Sequence, residues 1–224
     1  VAAINANGVT IHSFFQLPLS PFVPESTVKP RFEYSKQKRQ IMRTLDLLII
    51  DEISMVRADI LDAIDSILRR FREHNKPFGG VQLLMIGDLQ QLTPIVRPDE
   101  EKLLSRYYNT PYFFDSKALQ STQYVTIELT KVFRQQDKVF IDILNHFRDG
   151  HVSDEDFDIL NKRYQPNFNP DKNSDYIHLT THNRIADNIN DRQLEQIKEQ
   201  AYKFCARVEG QFPENSYPAD YELT

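Results

Sequence analysis

Two adjacent carboxylates, Asp51 and Glu52, close the apolar run Leu47-Leu48-Ile49-Ile50. A second apolar run, Val81 to Ile86, ends in Gly87-Asp88, with Gln90 and Gln91 close behind. These residue types suit phosphate chemistry. One carboxylate can hold a hard cation such as Mg2+ on a nucleotide phosphate. Its neighbour can take a proton from an attacking water. A polar amide such as Gln91 can touch both a terminal phosphate and that water. The plainer alternative is a pair of strands that end in polar turns.

The chemistry requires both runs to end at one edge. A continuous apolar run of this length, stopped by acids, predicts a parallel strand buried on both faces. Between the two runs, Val56, Ile60, Ala63, Ile64, Ile67, Leu68 and Phe71 recur at three-to-four spacing, which predicts a helix over 56–73. Asp59, Asp62 and Asp65 fill its first half and Arg69, Arg70 and Arg72 its end, in the order that complements a helix dipole. Strand, helix and strand make a right-handed βαβ unit. Ligands of open α/β sheets bind outside the carboxyl ends of such strands, where Asp51, Glu52, Asp88 and Gln91 fall.

A second group of polar side chains lies near the start. Thr10, His12 and Ser13 are followed by Phe14 and Phe15. Polar groups for phosphates beside rings for stacked bases suit a single strand of nucleic acid. The alternative is an ordinary turn into a helix with both rings in the core. A basic stretch, Lys29, Arg31, Lys36, Lys38, Arg39 and Arg43 against the single acid Glu33, is read either as a solvated helix face or as a phosphate-facing patch.

The chain has 224 residues, a net charge of −5 from 27 basic and 32 acidic side chains, and 40% hydrophobic residues. That composition is ordinary for a soluble globular protein, and it argues against a general polyanion sponge. No apolar stretch approaches the roughly 18 residues needed to span a bilayer. The single cysteine, Cys205, excludes an internal disulfide and points to a reducing compartment. The remaining segments read as a proline-rich loop over 16–30, a basic helix over 33–44, and a charged excursion over 97–110. A short helix is expected over 112–120 and a strand at Tyr124–Leu129. Next come a helix over 137–149 capped by Gly150, and one from a Ser153-Asp154-Glu155-Asp156 capping box to about 164. Strands at Tyr176–Thr180 and Tyr202–Val208 then flank a helix at Asn183–Gln200.

Taken together, these stretches resemble the Pif-one-like DNA helicases, relatives of RecD in helicase superfamily one. Gly8-Val9-Thr10-Ile11-His12-Ser13-Phe14-Phe15 resembles the family's motif Ia, and Asp51-Glu52-Ile53-Ser54-Met55 its motif II, the Walker B element. Pro77-Phe78-Gly79-Gly80-Val81-Gln82-Leu83-Leu84, running into Gly87-Asp88-Leu89-Gln90-Gln91-Leu92, resembles the family signature and motif III. Leu129 to Gly150, with Phe133-Arg134-Gln135 and Phe147-Arg148-Asp149-Gly150, resembles motif IV and its helix.

The resemblance implies an α/β, RecA-like fold of the P-loop NTPase type, a parallel sheet with flanking helices. It implies a first lobe over 1–130 and part of a second over 131–224. By the same resemblance Asp51 binds Mg2+, mostly through water, and Glu52 orients and deprotonates the attacking water. Gln91 senses the γ-phosphate of ATP, and Arg134 serves as an arginine finger. Thr10, His12, Ser13 and Phe14 contact single-stranded DNA, and the Thr180-Thr181-His182-Asn183 turn adds phosphate contacts through Thr181 and Asn183. The implied cofactors are ATP and Mg2+, and the implied partners are single-stranded DNA and forked or tailed duplexes. A monomer with no membrane association is expected, in the nucleoid of a bacterium or in the nucleus or mitochondria of a eukaryote.

The sequence also departs from the family pattern. None of the six glycines, at 8, 79, 80, 87, 150 and 210, is followed by lysine, so the phosphate loop Gly-x-x-x-x-Gly-Lys-Ser/Thr is not in this chain. Motifs V and VI and the small inserted β-barrel are not in it either. The chain is therefore expected to be a fragment that is not a competent ATPase alone. Thr93 stands where many relatives carry proline. Two alternatives stay open: a RecA-fold translocase that does not unwind, and a catalytically silent single-strand-binding or interaction module.

Overall fold

The computed structural model describes residues 8–18, 20–23, 34–168, 176–200 and 202. The chain divides into two compact units, 1–157 and 158–224. That division falls later in the chain than the lobe boundary expected at 130.

The first unit is built on a parallel pair, β1 (Leu47–Ile50) and β2 (Gln82–Met85), in the register Leu47 to Gln82 through Ile50 to Met85. The helix between them, α3 (Ala58–Phe71), buries Ile60, Leu61, Ala63, Ile64, Ile67 and Leu68. The strand–helix–strand unit therefore forms as the periodicity predicts. One expectation fails. Leu48, Ile50, Leu83 and Met85 face the core, but Leu47, Ile49 and Leu84 on the other face are 44%, 55% and 47% exposed. The strands are buried on one face because, among the described residues, helices cover only that side.

Ahead of this unit lie α1 (Ile11–Phe15), capped by Thr10, and α2 (Lys36–Thr44), capped by Ser35. Phe15 and Met42 drive these helices into the core beside Leu61, Ile64 and Leu68. Tyr34 donates to the Phe15 carbonyl at 2.6 Å and stacks edge-on against Phe71. Lys29 and Arg31 of the basic stretch lie outside the described residues, and the rest of that stretch, on α2, is exposed except for half-buried Lys38.

The Pro77–Gly80 turn shows why its residues are so specific. Phe78 is buried with a positive φ of 52°, an expensive conformation for an aromatic residue. Its N–H donates to the Asp65 carboxylate, which also receives Arg69 at 2.8 Å. Gly79, at φ 62°, lies against the end of α3. A Cβ there would stand 2.7 Å from the Leu68 carbonyl oxygen, so both the conformation and the close approach demand glycine. The turn thus clamps the entry to β2 onto the helix that precedes it.

The stretch expected as a charged excursion contains a helix, α4 (Pro98–Leu104), with Pro98 in its first turn and the Arg97 N–H donating to Glu100 Oε2 at 3.4 Å. Glu100 and Leu104 are buried. Glu100 is there because Arg57 reaches it at 2.9 Å while also forking onto Asp59 at 2.8 and 2.9 Å. Further along, Asp62 caps α5 (Lys117–Gln120) from a distance. Its carboxylate accepts from Ser116 Oγ at 2.6 Å, from the N–H groups of Lys117 and Ala118, and from Tyr108 Oη at 2.7 Å.

The strand expected at Tyr124–Leu129 does not form. The segment is irregular, with Val125, Ile127 and Leu129 between 78% and 86% exposed. An alternating pattern makes a strand only when a neighbour supplies hydrogen bonds, and no described residue pairs with this stretch. Next comes α6 (Lys138–Asp149), whose bounds match the expectation, with Gly150 at its C-cap in the left-handed conformation. Of its apolar residues only Ile143 is buried. Val139, Leu144 and Phe147 are exposed rather than inward, and Phe140 is half-buried. Ser153 opens α7 (Asp154–Asn161) through a reciprocal pair of bonds with Asp156, which also meets His146 at 2.9 Å.

In the second unit, Tyr176–Thr180 is irregular and exposed rather than a strand, and α8 (Asn183–Leu194) stops short of the expected end at 200. Phe168 and Tyr176 meet edge to face. The expected strand at Tyr202–Val208 lies outside the described residues apart from Tyr202. No helix among the described residues is long and apolar enough to cross a membrane.

Candidate functional site

β1 ends at Ile50, and the chain turns at once. Asp51 Oδ1 accepts from the Glu52 N–H at 3.0 Å, and Glu52 takes a left-handed conformation at φ 55°. That conformation is uncommon outside glycine and recurs where function holds a residue in place. It starts the short 3₁₀ turn Ile53–Met55 and leaves both carboxylates exposed at the strand end.

The loop after β2 is fastened to this turn. The Ile86 N–H donates to the Ile50 carbonyl and the Ile53 N–H to the Ile86 carbonyl, each at 2.9 Å. Gly87 then passes so close that a Cβ would stand 2.9 Å from Ile53 Cγ2 and 3.1 Å from the backbone nitrogens of Ile53 and Ser54. The two motif turns are therefore in direct backbone contact, and Asp51, Glu52, Asp88 and Gln91 belong to one edge of the sheet.

Within the second turn, Asp88 does the positioning. Its Oδ1 accepts from the Gln90 N–H at 3.0 Å, its carbonyl from the Gln91 N–H at 3.1 Å, and its Oδ2 from Gln91 Nε2 at 3.2 Å. Oδ2 also receives Arg148 Nη2, on α6, at 2.7 Å. The Gln90 N–H, with help from Gln91 and Arg148, holds this carboxyl below the ordinary carboxylate range despite partial burial. Gln91 itself is exposed.

Arg134 is exposed in the irregular segment ahead of α6, and no hydrogen bond or ion pair among the described residues joins it to Asp51, Glu52 or Gln91. Arg148 was not among the residues expected to act. The signal for it was its place in the Phe147-Arg148-Asp149-Gly150 block, but only the fold brings it to Asp88.

The residues of the first motif lie on α1. Thr10 caps the helix, its Oγ1 accepting from the Ser13 N–H at 3.3 Å, and Thr10, His12 and Ser13 are exposed. Partial burial, then the nearby Arg57 charge, lowers the His12 imidazole below its usual pKa, against an opposing pull from Asp59. Phe14 is half-buried. Its ring meets Phe15 edge-on, and Lys38 Nζ sits 3.9 Å from its centroid, so a cation already covers one face. In the second unit Thr181 and Asn183 are exposed. Thr181 Oγ1 lies 2.8 Å from His182 Nδ1, and Asn183 begins α8.

Among the described residues no cluster of three or more His, Cys, Asp or Glu is arranged to hold a metal by itself. Mg2+ asks for less, because it commonly takes one or two carboxylates and completes its shell with water and substrate phosphates. An exposed Asp51 at a strand end fits that demand.

The chain matches the PIF1-like helicase family over residues 1–158. The human ATP-dependent DNA helicase PIF1 is 34% identical over 215 residues, which cover 92% of this chain and 30% of the human protein. The PIF1 helicase of Saccharomyces cerevisiae strain YJM789 is 38% identical over 156 residues, 69% of this chain and 17% of that protein. Among solved structures, a Pif1 helicase from Bacteroides in complex with ADP-AlF3 and single-stranded DNA superposes with a TM-score of 0.87 at 39% identity. It covers 98% of this chain, which spans 50% of that one. The chain thus spans a third or less of these two curated relatives and half of this structural neighbour. The parallel pair with its flanking helices is accordingly an α/β, RecA-like arrangement. With the match covering most of its length and its motif turns in contact, the chain belongs to the PIF1-like helicase family.

Proposed function

We propose that this chain is part of an ATP-dependent DNA helicase that couples ATP hydrolysis to 5′–3′ movement on single-stranded DNA and to duplex unwinding. The observation that carries the reading is the contact between the Asp51-Glu52 turn and the Gly87–Gln91 turn, at the carboxyl end of two parallel strands in a PIF1-like chain. Such an edge is where α/β sheets bind phosphates.

In this reading Asp51 would hold Mg2+, which would supply positive charge beside the ATP phosphates. Glu52, one residue on and exposed, accepts the proton of the attacking water. Gln91, whose Nε2 rests on Asp88 Oδ2 before nucleotide engages it, turns its amide to the γ-phosphate and that water. Arg134 stabilises the charge that develops in the transition state. Residues 1–130 form the first lobe and 131–224 part of the second. ATP hydrolysis between lobes steps the protein along DNA. Thr10, His12 and Ser13 meet the DNA backbone with Phe14 beside them, and Thr181 and Asn183 add contacts from the second lobe. Forked and tailed duplexes are the substrates, and the protein works as a monomer. Its setting is the nucleoid in a bacterial source and the nucleus or mitochondria in a eukaryotic one, in DNA repair, recombination or telomere maintenance.

The test is strand separation by the chain extended to the length of its relatives, on duplexes carrying a 5′ or a 3′ single-stranded tail. The reading predicts ATP-dependent unwinding of the 5′-tailed duplex only. Equal unwinding of both, or none with ATP hydrolysis intact, overturns it.

A further inference from the structure

We infer that Asp88 is a positioning residue that links Gln91 to α6, with Arg148 as its partner on that helix. The inference rests on the proposed role of Gln91 as the γ-phosphate sensor. Three observations carry it. One oxygen, Oδ2, is shared between Gln91 Nε2 at 3.2 Å and Arg148 Nη2 at 2.7 Å. The other oxygen and the Asp88 carbonyl close the turn on Gln90 and Gln91, so the carboxylate cannot swing without moving the sensor. Arg148 lies in the last turn of α6, and Arg134 lies four residues ahead of that helix's first residue, Lys138. A 12-residue helix is a rod of about 18 Å, so a shift at one end is carried to the other.

The pair is poorly explained by stability alone. The Arg148 side chain is 52% exposed, and exposed ion pairs contribute little to folding. What the pair does supply is competition for one oxygen. When Gln91 turns its amide toward a phosphate, Asp88 Oδ2 is released to Arg148 alone. When Gln91 returns, the oxygen is shared again. The state of the sensor is thereby reported to the helix that follows Arg134.

The experiment compares Asp88→Asn, Arg148→Gln and the double variant in the chain extended to the length of its relatives. It reads kcat and KM for DNA-stimulated ATP hydrolysis and the affinity for a labelled oligonucleotide. Each single change is expected to lower kcat about tenfold, with the double variant no worse than either single one, because coupled residues are not additive. KM and DNA affinity should stay within about twofold, and Arg148→Lys should recover most of kcat, since a single N–O contact needs only a point charge. Single losses that multiply to about a hundredfold in the double variant would overturn the link. So would unchanged kcat in Arg148→Gln. A Gln91→Ala arm separates the two readings. If Gln91→Ala lowers kcat while Arg148→Gln does not, only the link fails. If Gln91→Ala leaves kcat unchanged, the sensor role fails and the link falls with it.

Discussion

Gly87→Ala tests the contact that brings the two motif turns together. Gly87 is solvent-exposed, and substitutions at such positions ordinarily change stability by less than about 0.5 kcal/mol. Its surroundings say otherwise. The new methyl would stand 2.9 Å from Ile53 Cγ2 and 3.1 Å from two backbone nitrogens, where carbon contacts are comfortable only at about 3.5–4.0 Å. Ile53 is buried, so its side chain has little room to yield. The 87–91 turn must therefore retreat by roughly half an ångström or more, stretching the 2.9 Å bond from the Ile53 N–H to the Ile86 carbonyl. Overpacking of this kind costs about 1–3 kcal/mol. With a urea m-value of about 2 kcal/mol/M, the unfolding midpoint should fall by roughly 0.5–1.5 M at unchanged m. Urea unfolding of this chain, followed by circular dichroism, measures that shift. A Gly87→Ala midpoint equal to the wild-type one would refute the claimed contact. Gly150→Ala is the control, since its φ of 71° meets open space, and its cost of about 1 kcal/mol comes from the backbone alone.

Other consequences follow from particular groups. Arg57→Ala strands buried Asp59 beside a buried Glu100 and should destabilise the chain by about 3–5 kcal/mol, read from its thermal midpoint; Arg57→Lys should recover only part, because a lysine cannot fork. Asp62→Ala removes the acceptor for Tyr108, Ser116 and two backbone N–H groups, and should cost about 2–4 kcal/mol in urea unfolding. Burial, against a weaker opposing effect of Arg70, pushes the Tyr34 hydroxyl up to about 12 from 10.0. A raised pKa favours the neutral phenol in the fold. Its contribution is therefore complete below pH 10 and lost as pH rises through 12. Tyr34→Phe should flatten part of the alkaline fall in stability over that window, while costing about 1 kcal/mol at pH 7 for the lost bond to the Phe15 carbonyl.

Much of the site's framework was legible because its signals are local. Leu47–Ile50 and Gln82–Met85 are short apolar runs joined by one amphipathic helix, and that arrangement fixes their parallel direction. α6 and its Gly150 cap, and the Ser153–Asp156 capping box, were equally readable. Where pairing decides the outcome, sequence alone misled. Tyr124–Leu129 and Tyr176–Thr180 carry strand composition but find no partner among the described residues, so they remain irregular. Charge misled over 97–110. The acids after Pro98 looked like solvent-facing residues, yet Asp99, Glu100 and Glu101 are the first turn of a helix, and Glu100 is buried by Arg57, more than 40 residues away in the chain. The same long reach hid Asp62 as a remote cap and Arg148 as the partner of Asp88. A carboxylate's neighbours across the fold leave no periodic trace.

The central claim is that Asp51 and Glu52, with the turn at Gly87–Gln91, form the hydrolytic edge of an ATP site. The most direct measurement is ATP turnover beside ATP affinity for Glu52→Gln, in the chain extended to the length of its relatives with single-stranded DNA present. Losing a positioned general base predicts a fall in kcat of about 10²–10⁴-fold, with ATP bound within about threefold of the wild-type affinity, because the isosteric amide leaves Asp51 and the fold intact. Turnover at the wild-type rate would contradict the account.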